Sequence, residues 1–536
     1  MTRRSPFSGA HRWCAIAAAA SSVLVTAPAQ ANDFMDTWVT FAFEDPHVLA
    51  NAEDGFPRGG FYPDERASTF FDNYDSQYSG RETLSHLVLY KRMPTVMNAL
   101  EAEASLVLRW SLYHDPETGK PGNKLRDDGS FIRLNYYTKS ARARRVGDAI
   151  SLTAFPYDSE RFKLGYSYDL SWGGKRTFLG NEDTVPGIKL EYNGSAGDKV
   201  KVNAFVGAKN ARLLDDSINE QQTYYGLLGG VGTGLFSRVR LDLQGGFFQK
   251  GAFPPKGQLG EDGQDLLAGR IMYAYGLSAR AGYHVGTPIG RSADFRLYRR
   301  DPYALIEDLR PERYDSTFSY AVESEASRLG QTLIDPDELG TTVIQPATAA
   351  DVNARLKYRY LRAHADVVYR SLSFILFNVP GMSPYYDFPD ASVHTDEIYG
   401  AVGMDYFLPR WRLTPGFTLG YQKPATYSGG IAEVDDVIDD AESEGATSTT
   451  IVVRDEGNFE ILPAGQNKFD ILTVKGSCRW DLGDALSFLS EVSYTLDKNQ
   501  TRYDKQLEGD GTSQRVFDDP DVFNKISVSL FLQARF

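Results

Sequence analysis

The chain closes on ISVSLFLQARF, Ile526–Phe536, and this stretch decides the fold. Its apolar residues fall on every second position: Ile526, Val528, Leu530, Leu532, Ala534 and Phe536. The residues between them are polar, except for Phe531. A period of two is typical of a β-strand with one apolar and one polar face. Chain ends usually fray. A terminal strand with so regular a pattern therefore predicts hydrogen bonding along both of its edges, as in a closed barrel.

The same alternation recurs along the chain, with turn-rich breaks between the segments. It is clearest in LEAEASLVLRWSL (100–112), FIRLNYY (131–137), KVKVNAFVGA (199–208) and RVRLDLQGGF (238–247). Further alternating segments lie near 37–45, 82–92, 148–156, 163–172, 186–194, 222–231, 265–286, 353–376, 396–407, 410–422, 468–480 and 485–497. The pattern predicts an all-β fold: a transmembrane antiparallel up-and-down β-barrel of about 18 strands, with 16 to 20 compatible.

Four long breaks are acidic and rich in turn residues, and we expect them to be extracellular loops. They cover 44–82, 301–352, 423–467 and 498–520. Within the second break, apolar residues of 318–333 keep roughly helical spacing, which predicts a short helix on the rim or in the pore. The stretch 353–376 fits one bulged strand or two short ones, and Pro415 predicts a bulge.

A secreted sandwich or propeller would also show alternating strands. Two features favour the membrane barrel: the chain ends on a strand, and tryptophans fall near predicted strand ends, where aromatic girdles belong. These tryptophans are Trp38, Trp110, Trp172, Trp411 and Trp480.

The N-terminal residues 1–31 have the pattern of a secretory signal peptide. Arginines at 3, 4 and 12 precede an apolar run from Cys14 to about Val25, and we expect cleavage after Ala31. Residues 32–536 then form the barrel, and no later stretch holds 18 consecutive apolar residues, the length of a membrane helix.

Composition and motifs argue against several functions. The chain carries 57 basic and 71 acidic residues, a net charge of −14 that disfavours a nucleic-acid partner. The seven histidines lack metal-site spacing, and no G-x-S-x-G elbow occurs. GGVGTGLF (229–236) has no following lysine, so it indicates close backbone approach rather than a phosphate loop. We therefore predict no enzyme, no metal and no cofactor.

The signal peptide, the repeated alternation and the final strand ending in Phe536 resemble Gram-negative outer-membrane β-barrels. Within that group the chain is similar in length and strand number to porins and to barrels that export anionic exopolysaccharide such as alginate. The resemblance implies an outer-membrane location. It also implies that the last strand, through Ile526, Val528, Leu530, Leu532 and Phe536, is the signal read by the barrel-insertion machinery.

If the apolar positions face lipid, the other parity lines the pore, and this face holds more basic than acidic residues in the strands assigned above. The pore-lining candidates are Arg109, Arg133, Lys199, Lys201, Arg238, Arg240, Arg355, Lys357, Arg359, Arg412 and Lys475. Basic rings favour anions, although cross-strand ion pairing would equally explain these residues.

The leading hypothesis is an outer-membrane channel for hydrophilic solutes, with small anions or anionic polysaccharide as cargo. The alternative is a non-channel barrel that serves adhesion, envelope architecture or a trans-envelope assembly. The expected partners are membrane lipid, lipopolysaccharide and the insertion machinery, and a homo-oligomer is compatible with the sequence.

Overall fold

The structure, a computed structural model, describes most of the chain from Asp36 to Arg535. Outside the described residues are 1–35, 46, 50–85, 94–96, 98, 115–120, 139–147, 168–169, 180–183, 198, 216–218, 256–264, 287–316, 379–384, 430–448, 456–457, 484, 505–513, 519–523 and 536. The predicted signal peptide and Phe536 therefore lie outside them.

Eighteen antiparallel strands form one closed barrel in chain order. They are β1 Asp36–Asp45, β2 His86–Arg92, β3 Leu100–His114, β4 Pro121–Asp127 continued by Phe131–Tyr137, β5 Ala149–Phe155, β6 Gly187–Ala196, β7 Val200–Asp215, β8 Glu220–Leu235, β9 Val239–Ala252, β10 Ile271–Val285, β11 Phe318–Ile334, β12 Thr342–Tyr358, β13 Leu361–Arg370, β14 Glu397–Tyr406, β15 Leu413–Lys423, β16 Ile471–Asp481, β17 Leu486–Leu496 and β18 Asn524–Arg535. Each strand pairs with the next, and β18 pairs with β1 to close the sheet. The predicted fold class and strand number are confirmed.

The remaining elements are short. A four-stranded sheet holds Val393–Thr395, Ala425–Gly429, Thr449–Asp455 and Asn458–Ile461, and a hairpin pairs Thr501–Asp504 with Gln514–Phe517. Leu372–Ile375 is one α-helical turn, and Lys175–Thr177 and Leu376–Asn378 are 3₁₀ turns. No helix among the described residues is long and apolar enough to cross a membrane.

The two faces of the barrel wall follow the predicted parity. On β9, Leu241 and Leu243 are 42% and 49% exposed, whereas Arg240 and Asp242 are buried. The last strand behaves likewise, since Ser527, Ser529 and Phe531 are buried while Leu530 is exposed. Exposed rings such as Phe247 with Tyr273 and Phe318 with Tyr358 pack together on the outer surface. An apolar belt bounded by aromatic rings is the outer face of a membrane-spanning barrel.

The stretch 318–333 is not helical, and the prediction of a long loop over 301–352 is wrong. Residues 318–334 form β11 and 342–358 form β12. The apparent helical spacing arose because both faces of β11 carry apolar residues. Val322 faces outward, whereas Ala321, Leu329 and Leu333 face inward and are buried.

Two smaller predictions are also resolved. The stretch 353–376 contains two strands joined by a turn at Arg359 and Tyr360, rather than one bulged strand. Pro415 lies in an unbroken register opposite Cys478, without a bulge. Pairing of β15 with β14 begins only at Gly416, so the proline lies just beyond the end of that ladder.

Candidate functional site: a constriction in the barrel lumen

The described residues of 156–186, here called the inserted segment, fold into the barrel between β5 and β6. The stretch 163–172, predicted as a wall strand, lies in this segment instead, and the one β-bridge among the described residues of that stretch joins Leu164 to Trp172. Phe162, Trp172 and Phe178 are each 1% exposed. Trp172 was predicted for an outer girdle, yet its ring packs edge-on against the inward ring of Phe248, 5.9 Å between centroids. Aromatic rings buried in this way anchor the segment on the wall.

Glycines on the inner face of β7–β9 make room for these rings. A β-carbon at Gly207 would come within 2.5 Å of the Phe162 ring, and one at Gly226 would overlap Phe248. At Gly246 the nearest atom would be Leu164 Cδ1, at 2.8 Å. The glycine-rich run 229–236 was predicted to be a place of close approach. At Gly230 a β-carbon would come within 2.6 Å of the Phe205 ring, so a neighbour does lie close to the backbone there.

The apex of the inserted segment, Gly165–Ser167, is bonded to β9 and β11. Gly165 N donates to Gln244 Oε1 (2.8 Å), while Tyr166 N (2.9 Å) and Ser167 N (2.7 Å) donate to the Glu325 carboxylate. Gln244 Nε2 also donates to the Tyr166 hydroxyl at 2.6 Å. Burial raises the pKa of the Tyr166 phenol well above its ordinary value, so the hydroxyl stays neutral.

Basic side chains hold other parts of the inserted segment. Lys209 Nζ on β7 donates to the carbonyls of Ser159 (2.8 Å) and Gly173 (2.9 Å). Arg161, on the segment itself, donates to the backbone oxygen and the carboxylate of Asp128, at 2.5 and 2.7 Å. These cations bind protein groups, and buried charges of this kind need such partners.

A second inserted segment, Ser371–Asn378, joins the first. Ser371 caps the helical turn by accepting a hydrogen bond from Phe374 N. The Phe377 ring packs edge-on against Trp172 at 6.5 Å, and Lys250 Nζ of β9 donates to the Phe377 carbonyl at 2.6 Å. The two segments thus share one apolar cluster inside the lumen.

The inner face of β13–β17 carries several ion pairs, beside buried apolar residues such as Tyr399. Arg362 pairs with Asp405 at 2.7 Å, and Arg370 pairs with Glu397 at 2.8 Å. Gln422 also donates to Glu397 at 3.1 Å. Such paired charges present a hydrated wall to the lumen.

Seven of the eleven pore-lining candidates lie on the inward parity of the strands. Arg109 is 3.8 Å from Asp128, Arg133 is 3.7 Å from both Glu103 and Glu191, and Arg240 pairs with Asp242. Arg355 pairs with Glu323. The others are Lys201, Lys357 and Lys475.

The other four candidates lie in tight turns rather than on strands. Lys199 and Arg238 follow β6 and β8, and Arg359 and Arg412 follow β12 and β14, all exposed. Arg359 and Arg412 adopt positive φ values of 53° and 50°. The sequence prediction extended the alternating pattern one or two residues beyond the strand ends. In these turns the chain reverses direction, so whether a position is odd or even no longer tells which face its side chain lies on.

Several inward acids were missed. Glu323, Glu325 and Asp351 lie on β11 and β12, within the stretch 301–352 that the sequence analysis assigned to a loop. Asp366 lies on β13, within the stretch 353–376 that the sequence analysis left as one strand or two. All four are buried. The inner wall therefore carries acids beside its cations, in line with the ion-pairing alternative. Among the described residues, no group of histidine, cysteine or acidic side chains could hold a metal ion.

No protein-family model and no curated protein matches the chain. Solved structures align over nearly its whole length. Pseudomonas aeruginosa OprD gives a TM-score of 0.40 at 8% identity, covering 94% of both chains. Pseudomonas aeruginosa OccD3 gives 0.39 at 8%, covering 94% of this chain and 90% of that one, and Vibrio cholerae OmpT gives 0.33 at 9%, covering 94% and 97%. At these values the similarity says nothing about function.

Proposed function

We propose that the protein is an outer-membrane channel through which small hydrophilic solutes diffuse, with the inserted segment setting its narrowest point. The supporting observation is the asymmetry of the lumen. The hydrogen bonds and ring contacts described for the inserted segment go to the wall from β4 to β11, whereas β13–β17 present ion pairs. Barrels of 16 to 18 strands leave an aqueous lumen.

The cargo is part of the same proposal. The two inserted segments narrow the lumen, which favours small solutes over a polysaccharide chain. Anion preference rests on the inward cations, and the acids paired with them reduce it, so we propose at most a modest preference for anions.

Planar bilayers test the proposal directly. Purified, refolded protein should give stepwise conductance increments, and reversal potentials across a salt gradient should give the ratio of anion to cation permeability. Absence of steps from protein that migrates as a folded barrel would overturn the channel proposal.

The non-channel alternative has one observation in its favour. The four-stranded sheet is separate from the barrel sheet and packs on the second inserted segment through Leu372, Ile375, Ala425 and Val453, which makes an ordered platform. An adhesive or assembly role would leave bilayer conductance absent, whereas deletion of the platform would abolish cell or partner binding.

The partners remain proposals. The apolar belt suits membrane lipid and lipopolysaccharide, and β18 offers the regular outer face, Ile526 to Leu532, that the insertion machinery would read. Whether the barrel associates with copies of itself is a question for cross-linking in native membranes.

A further inference from the structure

We infer that Glu325 is the positioning residue of the constriction: its carboxylate fixes the apex of the inserted segment and thereby the width and steadiness of the open channel. This inference rests on the proposed function. The immobilisation of the apex by Glu325 can also be measured independently, without recording channel conductance.

The bonds of Glu325 go to the inserted segment. Its Oε1 accepts from Tyr166 N at 2.9 Å, and its Oε2 accepts from Tyr166 N at 3.0 Å and from Ser167 N at 2.7 Å. Within the described part of the chain it forms no ion pair. The neighbouring Glu323, two residues away on the same face, pairs instead with Arg280 (3.1 Å) and Arg355. Glu323 therefore pairs with arginines of the barrel wall, whereas Glu325 binds the apex of the inserted segment.

The apex has the backbone shape that such a carboxylate needs. Gly165 has a φ of +88°, in the left-handed region that favours glycine. A β-carbon there would lie 3.0 Å from both Glu325 Oε1 and the Leu170 carbonyl. The turn directs three successive N–H groups towards the wall, of which Gln244 accepts the first and Glu325 the next two.

The side chain of Tyr166 fixes the orientation of the apex. Its ring lies 3.7 Å from the Arg280 guanidinium carbon, and Gln244 Nε2 donates to its hydroxyl at 2.6 Å. Arg280 is itself held by Asp242 at 2.8 Å. Further along the segment, Trp172 Nε1 donates to Ser278 Oγ at 2.8 Å. Three adjacent strands, β9 to β11, therefore hold the segment, and Glu325 supplies the two-oxygen acceptor among them.

A carboxylate differs from an amide at this position. Two oxygens accept the converging N–H groups, whereas glutamine has one oxygen and presents its NH₂ to the remaining donor. E325Q should therefore keep the volume of the side chain and lose the fixation of the apex.

The experiment compares E325Q with E103Q, which also removes one buried lumenal carboxylate. Glu103 on β3 accepts the Tyr90 hydroxyl at 2.6 Å and the Asn135 amide at 3.3 Å, bonds that join β2, β3 and β4. Recordings at 1 M salt screen the lost charge, because the Debye length falls to about 3 Å. Under these conditions E103Q should show the flicker of the wild type, because Tyr90, Asn135 and Arg133 (3.7 Å), which contact Glu103, lie on the wall and not on the inserted segment. E325Q should show open-channel flicker that is more frequent by about tenfold, the factor that corresponds to about 1.4 kcal/mol.

Hydrogen–deuterium exchange in detergent supplies the independent measurement. In folded E325Q, the amides of Tyr166 and Ser167 should exchange about tenfold faster than in the wild type, while E103Q leaves them protected. Unchanged exchange in E325Q would overturn the inference, as would flicker that E103Q reproduces at 1 M salt. If the wild type does not conduct but E325Q still releases these amides, the channel proposal fails and the positioning role stands. G165A, which strains the same turn, repeats the test should E325Q fold poorly.

Discussion

The inner wall of the barrel has two unlike arcs. On β7–β9, here called the covered arc, glycines and aromatic rings receive the inserted segment: Gly207 lies under the Phe162 ring, and the Phe248 ring of the wall packs against Trp172. On β13–β17, here called the charged arc, the same inward positions hold ion pairs such as Arg370 with Glu397. The outer faces of both arcs are apolar and exposed. On both arcs, therefore, the outer residues are apolar because they face lipid. The inner residues differ between the arcs according to the groups that pack against them.

Removal of the inserted segment, which lies on the covered arc, should have the largest effect, and the effect is on conductance. Replacing residues 161–178 with a short Gly-Ser linker removes the constriction and should raise single-channel conductance several-fold, because the lumen of an 18-stranded barrel then governs the current. Conductance equal to that of the wild type would show that the inserted segment does not limit flow.

Packing on the covered arc predicts the next largest effect. Gly226 and Gly234 both face inward on β8, yet only Gly226 lies under a ring. G226A should destabilise the barrel by about 1–3 kcal/mol, the usual cost of overpacking. A β-carbon at Gly234 would have its nearest contact at 3.6 Å, so G234A should be nearly neutral. Urea unfolding in detergent, followed by the gel shift of the folded barrel, measures both variants, and equal loss of stability would contradict the comparison.

The charged arc predicts an effect on selectivity rather than on stability. E397Q leaves Arg370 without its carboxylate partner at 2.8 Å and should shift the permeability ratio towards anions. R370Q should shift it towards cations by the same reasoning. Both shifts should fade between 0.1 and 1 M salt, as the Debye length falls from about 10 to about 3 Å. Shifts of the same sign in the two variants would contradict a lumen lined by this pair.

The contrast between the arcs also explains what the sequence could predict. Lipid imposes a strict period of two, so the barrel, its strand number and the outward face of residues such as Leu241 were predictable. No comparable rule covers the lumen. β11 was missed because Ala321 and Leu329 are apolar and inward, facing the same interior as the inserted segment, which blurs the alternation. Glu325 was missed with it, although the polar residues Glu323, Glu325 and Ser327, at i, i+2 and i+4, repeat with the period of a strand.

The smallest predicted effect concerns the basic run Arg355, Lys357 and Arg359 that the sequence placed on one pore-lining face. Arg355 lies on the inner wall beside Glu323, which Arg280 also contacts at 3.1 Å. Arg359 lies in the exposed turn after β12, its guanidinium carbon 5.3 Å from the centre of the Tyr358 ring.

R355Q should therefore lower anion preference modestly, since Glu323 keeps a second arginine and only part of its charge becomes uncompensated. R359Q removes the same charge from an exposed turn in high-dielectric surroundings, so it should leave the permeability ratio unchanged at 0.1 M salt. Reversal potentials of the two single variants measure the difference. A larger shift in R359Q than in R355Q would mean that the exposed turn after β12 contributes more to ion selection than the inner wall of that strand, which would contradict the prediction.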